Sequence, residues 1–403
     1  MKKFITAIVA TLVLVSVAYA QEVKEDFVSL STNQWGKEYP KANSQGYVRN
    51  QVYAPEAYRV QFQINGIVFP MSRDTEGYWT GTSTQPFDEG NHYYAIIIDG
   101  VEVPDPNSVF LYGSGAERTQ IEIPAHDQDK YALRDVPHGQ IRELYIKSSV
   151  TGQHRHIFVY TPPMYDNVKT KYPVLYLQHG YTENETGWSR QGHCGWIMDN
   201  LIADGKCQPF IIVMENGETS HPFDMSARQN GSMNQQAFQR FPDILIKDVI
   251  PYIDSHFRTY ADAKHRALAG LSMGGMQTRQ ISLAHPDIFG SIGLFSGGTI
   301  SEKDLEDNPN FLKLNRLTFV SYGSREVEKP RGEAPKAVVE KVKKLGLNAY
   351  YYESPLTAHE WQTWRRSLYA CKRHVSYRSG RWAEPMWLLQ PVQSRRGSRC
   401  RRR

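Results

Sequence analysis

The chain has 403 residues, 22% of them charged and 40% hydrophobic, which excludes an intrinsically disordered protein and leaves room for two domains, each with its own core. The formal net charge of +5 is concentrated at one end: nine arginines and Lys372 stand against the single acid Glu384 in residues 371–403, a balance of +9, while the remainder carries −4. A nucleic-acid partner inferred from that basic balance would rest on the tail alone, and none is expected.

Met1-Lys-Lys leads into the apolar run Phe4–Val17 and then Ala18-Tyr-Ala20. That order predicts a secretory signal peptide over 1–20, cut near Ala20-Gln21, and an exported (secreted or periplasmic) product. The run is too short to span a bilayer comfortably, and no other stretch approaches 20 apolar residues, so no membrane span is expected after signal removal. Residues 21–45 read as a polar, loosely structured lead. From about 46 to 125 the pattern is short alternating strands, Tyr58–Ile64, Tyr78–Thr82 and His92–Ile98, with turns at Asn65-Gly66 and Asp99-Gly100. Period-2 alternation with such turns predicts a small antiparallel, immunoglobulin-like sandwich, placed here at 21–128. The stretch GYWTGTSTQPFDEGNHYYAIIIDGVEVPDPNS resembles family 48 carbohydrate-binding modules and related early-set domains over about 80 residues. The resemblance makes Trp79, Tyr93 and Tyr94 candidates for stacking on sugar rings, although core and edge positions in a sandwich suit them better.

Residues 126–140 form the boundary. Arg142–Lys147 and His156–Tyr160 predict a hairpin that opens a larger sheet. Apolar strand runs then alternate with helix-like segments: Pro173–Gln178, Phe210–Met214, Ala267–Leu271, Ile292–Phe295, Leu317–Tyr322 and Ala349–Tyr352 against Trp196–Ala203, Asp243–His256, Met276–Ala284 and Ala334–Leu345. That alternation implies a parallel sheet covered on both faces over 129–370. Between a strand run and a helix run lies Gly270-Leu-Ser-Met-Gly274, the strand–turn–helix setting of a nucleophile elbow, which makes the larger domain an α/β-hydrolase fold.

An elbow serine needs a base, an acid to orient that base, and donors for an oxyanion. In this fold the chain order is Ser, acid, His, so the base follows Ser272 and the histidines before it, His221, His256 and His265 among them, are excluded. Of those that remain, His285 ends the helix after the elbow and His374 lies in the tail. His359 sits on a loop between the last strand and a helix, where the fold presents its base. The acid should follow strand Leu317–Tyr322, where Glu326 and Glu328 compete; Glu326, nearer the strand end, is preferred. One oxyanion donor is the Met273 N–H, and the other is expected at Tyr181 in His179-Gly180-Tyr181, with His179 a buried structural partner.

The segments YPVLYLQHGYTENETGW, DNLIADGK, IIVMENG, DVIPYIDSHFRT, RALAGLSMGGMQT and AHEWQTWRRSLY together resemble carbohydrate esterase family 1, the feruloyl and acetylxylan esterases, from about 137 to 370. The resemblance implies a serine esterase with Ser272 as nucleophile and His359 as base, acting on feruloyl esters of arabinoxylan-type plant cell-wall polysaccharide or feruloylated oligosaccharides without a cofactor. Acetyl removal, acyl transfer to a sugar, and a decayed, glycan-binding hydrolase are the competing readings. Trp188 and Trp361 are candidate aromatic walls for the acyl ring, or else core. The chain departs from the family in its acid (Glu326 for the usual Asp), in Tyr181 where many members have a second glycine, and in Ala370-Cys-Lys-Arg-His, which replaces an apolar helix end.

Residues 371–403 change composition abruptly inside a helix and read as a frameshifted or chimeric end rather than a genuine basic appendage. Cys194 and Cys207 flank one helix and stand roughly 15 Å apart by helix rise, too far for a bridge without bending the chain back. No C-x-x-C or histidine cluster suggests a metal.

Overall fold

A computed structural model describes residues 22–219, 240–328 and 332–371. The expected leader and the tail beyond Cys371, with His221, His374, Cys400 and Lys329, lie outside the described residues. Among the described residues no helix is long and apolar enough to cross a membrane.

The first half is all β. Its strands are β1 (Val28–Ser29), β2 (Lys41–Ala42), β3 (Val48–Tyr53), β4 (Val60–Ile64), β5 (Ile67–Pro70), β6 (Ser72–Arg73), β7 (Tyr78–Thr82), β8 (Gly90–Ile98), β9 (Val101–Val103), β10 (Phe110–Gly113) and β11 (Ala116–Ile123). They form two antiparallel sheets, β1-β2-β3-β7-β6 and β10-β11-β8-β4-β5, with β9 pairing on β8. Strict alternation in β4 buries Val60, Phe62 and Ile64 in a core shared with Val48, Phe69, Ile96 and Ile121. The Asn65-Gly66 and Asp99-Gly100 turns take positive φ at both residues (49° and 84°; 49° and 90°), the geometry that matches the strand twist and that only such residues adopt cheaply. The segment read as a loose lead carries β1 and β2, each too short to show a period. Trp79 and Tyr94 are buried, the indole N–H donating to the Ala54 carbonyl (2.9 Å) and the phenol to Asp105 (2.6 Å), so neither offers a face to a sugar.

The second half is an α/β domain. Its strands are β12 (Gln140–Lys147), β13 (His154–Thr161), β14 (Val174–Gln178), β15 (Ile211–Glu215), β16 (Arg266–Leu271), β17 (Ser291–Phe295), β18 (Leu317–Gly323) and β19 (Ala349–Ser354). Among the described residues they make one sheet of order β12-β13-β15-β14-β16-β17-β18-β19, antiparallel through β12, β13 and β15 and parallel thereafter. Strands β14 to β17 are buried at every residue, as helices on both faces require. The helices are α1 (Gly187–Arg190), α2 (Cys194–Ala203), α3 (Phe241–Asp243, continuing through the π segment Ile244–Val249 into Ile250–His256), α4 (Met273–Ala284), α5 (Glu302–Asp307), α6 (Pro309–Leu314), α7 (Pro335–Lys344) and α8 (Trp361–Ala370). The π segment ends one residue before Ile250-Pro251 opens the last stretch, and Pro251 has no N–H to continue the α ladder. Helices α5 and α6 were not expected. They are short helices of 6 residues each set by end signals, a Ser301/Asp304 capping box and Pro309 at the start of α6.

The two halves are joined through α8. Its arginines are buried: Arg365 forks onto Glu122 of β11 (2.5 and 3.0 Å), and Arg366 onto Asp127 (2.9 Å at both oxygens) and Glu89 (3.0 Å). Gln362 adds a bond to Asp127 at 3.1 Å, and Arg325 pairs with Asp88 at the rim. Among the described residues Glu89, His126 and Asp127 converge as a metal site would, but Arg366 and Lys130 already occupy these carboxylates.

Burial pushes the Asp127 carboxyl up, and Arg366 and Lys130 more than reverse this, holding it at about 2 against an ordinary 3.8. A depressed carboxyl contributes stability above its unfolded value and loses it as pH falls toward the folded one. Going from about pH 5 to about pH 3, wild-type protein should lose on the order of 1 kcal/mol of unfolding free energy that Asp127→Asn does not lose, measured by urea denaturation.

Candidate active site

The site is built on the carboxyl ends of β14, β16, β17 and β18, where the crevice of an open α/β sheet lies. Ser272 follows β16 and begins α4 with φ 49° and ψ −113°, a conformation a β-carbon normally avoids. The turn is enforced by close approach. A Cβ on Gly270 would stand 2.4 Å from the Gly274 carbonyl carbon, and one on Gly274 would stand 2.6 Å from the His179 oxygen. The Ser272 N–H is itself held by the Phe295 carbonyl at 2.8 Å.

That bond brings the elbow beside the β17 end, and the neighbouring residue carries the contact onward. Ser296, at φ 50°, donates its hydroxyl to Glu326 Oε1 (2.8 Å) and accepts from the Trp364 indole at 3.1 Å. The Gly323 N–H also donates to Glu326 Oε1 (2.8 Å), and His359 Nδ1 lies 2.8 Å from Glu326 Oε2. The carboxylate is therefore fixed by three donors, with its side chain 11% exposed against 49% for the imidazole. Nδ1 is committed to Glu326, so Nε2 is the ring nitrogen not used in this pair. Trp364 stands edge-on to the His359 ring at 5.1 Å between centroids.

The acid loop and the histidine loop are pinned to each other. Arg325 N–H donates to the Thr357 carbonyl (3.0 Å) and Leu356 N–H to Ser324 Oγ (2.9 Å). Gly323 permits this, since a Cβ there would meet the Thr357 and Ala358 oxygens at 2.4 and 2.7 Å. Of the two competing acids, Glu326 meets His359, and Glu328 is exposed.

The residues expected to supply the oxyanion donors neighbour the serine, Met273 in the chain and Tyr181 through Gly180. Met273 opens α4, where a first-turn N–H has no partner within the helix. Tyr181 follows Gly180, whose added Cβ would lie 3.6 Å from that of Ser272. His179 is buried beneath this loop and accepts from the Gly217 N–H at Nε2 (3.0 Å), which puts its proton on Nδ1, 2.7 Å from the Gly180 oxygen. Burial lowers its pKa, in keeping with a neutral brace.

Trp188 and Trp361 do not form acyl walls. Both are buried in the core beneath the site, edge-to-face at 5.4 Å, with the Trp188 N–H on the Gln178 carbonyl at 2.8 Å. Ser296 and Trp364 escaped the sequence reading, although a serine ending a parallel strand beside the elbow strand was a signal that could have found the first.

Fold and site geometry together define an α/β-hydrolase. Residues 148–315 match the family model described as putative esterase. It is 44% identical over 355 residues to an endo-1,4-beta-xylanase/feruloyl esterase of Xylanibacter ruminicola, covering 86% of this chain and 47% of that one. To endo-1,4-beta-xylanase Y of Acetivibrio thermocellus it is 28% identical over 309 residues, 68% of this chain and 26% of the relative. The chain thus spans less than half the length of these curated relatives. Among solved structures, an enterobactin esterase of Shigella flexneri superposes with a TM-score of 0.57 at 16% identity over 81% of this chain and 93% of that one. A ferulic acid esterase of Anaeromyces mucronatus gives 0.50 at 20% identity over 62% and 95%. These two likenesses show the fold.

Gly274→Ala should cost on the order of 2 kcal/mol or more, because its Cβ would meet backbone that cannot yield. Gly195→Ala, whose Cβ would find Tyr160 at an ordinary 3.6 Å inside α2, should leave stability unchanged or raise it. Denaturant midpoints of the two variants compare them directly.

Proposed function

We propose that the chain is a serine carboxylic-ester hydrolase that removes feruloyl groups from arabinoxylan-type plant polysaccharide. The observation that carries the reading is the His359–Glu326 pair, joined through Ser296 and Phe295 to the strained serine at 272. Ser272 Oγ attacks the ester carbonyl while His359 Nε2 takes its proton, and Glu326 holds the ring tautomer and stabilises the imidazolium without accepting the proton. The Met273 and Tyr181 N–H groups receive the oxyanion, each contributing on the order of 3 kcal/mol in the transition state. His359 then delivers the proton to the departing sugar oxygen, which leaves as the hydroxyl, and the acyl-enzyme is hydrolysed by water activated at the same nitrogen. The feruloyl preference is supported by the Xylanibacter ruminicola relative, whose name joins a xylanase to a feruloyl esterase, and the expected leader peptide suits an enzyme that meets polymer outside the cell.

Ser272→Ala and His359→Ala should each lower kcat for methyl ferulate by about 10³-fold or more. Glu326→Gln should cost a large part of this, and Glu328→Gln should leave the rate within about twofold. Release of ferulate from feruloylated arabinoxylan should exceed release of acetate from acetylated xylan. The reverse order would make acetyl the substrate, and esters formed with an added alcohol would reveal transfer.

A further inference from the structure

The loop that carries the Tyr181 N–H is not held by the hydrolase domain alone. Residues 179–186 connect β14 to α1, and two bonds from the sandwich end on them. The Gly115 N–H, from the tight turn between β10 and β11, donates to the Thr182 carbonyl at 2.8 Å. Tyr93, on β8, donates its hydroxyl to Glu183 Oε1 at 2.7 Å. The phenol is closely fitted: a Cβ on Gly113 of β10 would overlap the Tyr93 oxygen.

Around this contact lies a buried polar network drawn from both domains. Tyr93 Oη is 3.0 Å from the Gln191 amide. With that amide turned to satisfy its neighbours, its oxygen accepts from Gln120 Nε2 (3.0 Å) and Trp361 Nε1 (3.2 Å) and shares the Tyr93 hydroxyl proton (3.0 Å) with Glu183, while its nitrogen donates to the Tyr112 carbonyl (2.9 Å). Gln120, Gln191 and Trp361 are almost completely enclosed. The network touches the oxyanion loop at Glu183 and also the histidine loop, since Trp361 follows His359 by two residues. Burial lifts the Glu183 carboxyl to about 7, so this group depends on its partners being in place.

Resting on the esterase reading, we propose that Tyr93 is a positioning residue: through Glu183 it holds the Gly180–Thr186 loop so that the Tyr181 N–H faces the oxyanion, and the sandwich acts as part of the catalytic scaffold. A free sugar-binding module would turn this aromatic outward, whereas here its hydroxyl is committed to the loop. Misplacement of a donor costs the transition state far more than the bound substrate, so the effect belongs in kcat.

Tyr93→Phe removes the hydroxyl and keeps the ring. Its kcat for p-nitrophenyl acetate and methyl ferulate should fall by about tenfold, with KM within about twofold of wild type. Glu183→Gln, which still accepts from Tyr93, should retain most of the wild-type kcat, and Glu183→Leu should match Tyr93→Phe. Tyr94→Phe is the control: the same atom is lost from the same strand, but its partner Asp105 lies within the sandwich, so kcat should be unchanged whatever happens to the unfolding midpoint. Unchanged kcat in Tyr93→Phe overturns the inference, as do equal kcat losses in the Tyr93 and Tyr94 variants that follow their loss of stability. An inactive wild type fails in a different place, overturning the esterase reading and this inference with it.

Discussion

The Glu326 carboxylate is where the architecture of the site converges. One of its oxygens is spent on the Gly323 N–H and the Ser296 hydroxyl, so only the other is left for His359, and the imidazole can sit in one place. Every partner comes from a different strand end. The elbow is tied to the end of β17, Ser296 continues that strand, Glu326 leaves β18, and His359 leaves β19. A glutamate reaches further than an aspartate. The short helical turn Ser324–Glu326 folds that extra length back so that the carboxylate meets the Gly323 N–H at its own start. The longer side chain is thereby accommodated by local backbone geometry.

Much of this was legible in the chain. The serine and histidine could be singled out because acyl-transfer chemistry would demand a fixed order and a fixed setting: glycines two residues either side of Ser272, and a loop after the last strand for His359. The parallel sheet was legible because strands buried on both faces read as continuous apolar runs. Glu326 was favoured over Glu328 on nearness to the strand end alone, and the same physics, a rigid strand terminus, explains why it is the one in contact with His359.

What stayed hidden has physical reasons too. Strands of two residues, such as Val28–Ser29, have no period to detect. Tyr93 and Tyr94 are neighbours on one strand and so point to opposite faces, one toward the other domain and one into the sandwich core; period-2 patterning assigns faces but cannot say that an outward face will be covered. Arg365 and Arg366 look like a solvated helix surface until Glu122 and Asp127 arrive from nearly 240 residues away in the sequence. Trp188 and Trp361 are aromatic and close to the site, and only coordinates separate a wall from a foundation.

The paired arginines of α8 bear on how such a chain can be recombined. Cutting it at the sequence boundary near 128 would strand two guanidinium groups in a cavity stripped of their carboxylates, an arrangement that costs several kcal/mol because an unmatched charge cannot stay dry. In this chain the pair of lobes, rather than either one alone, is therefore the unit that could be moved intact.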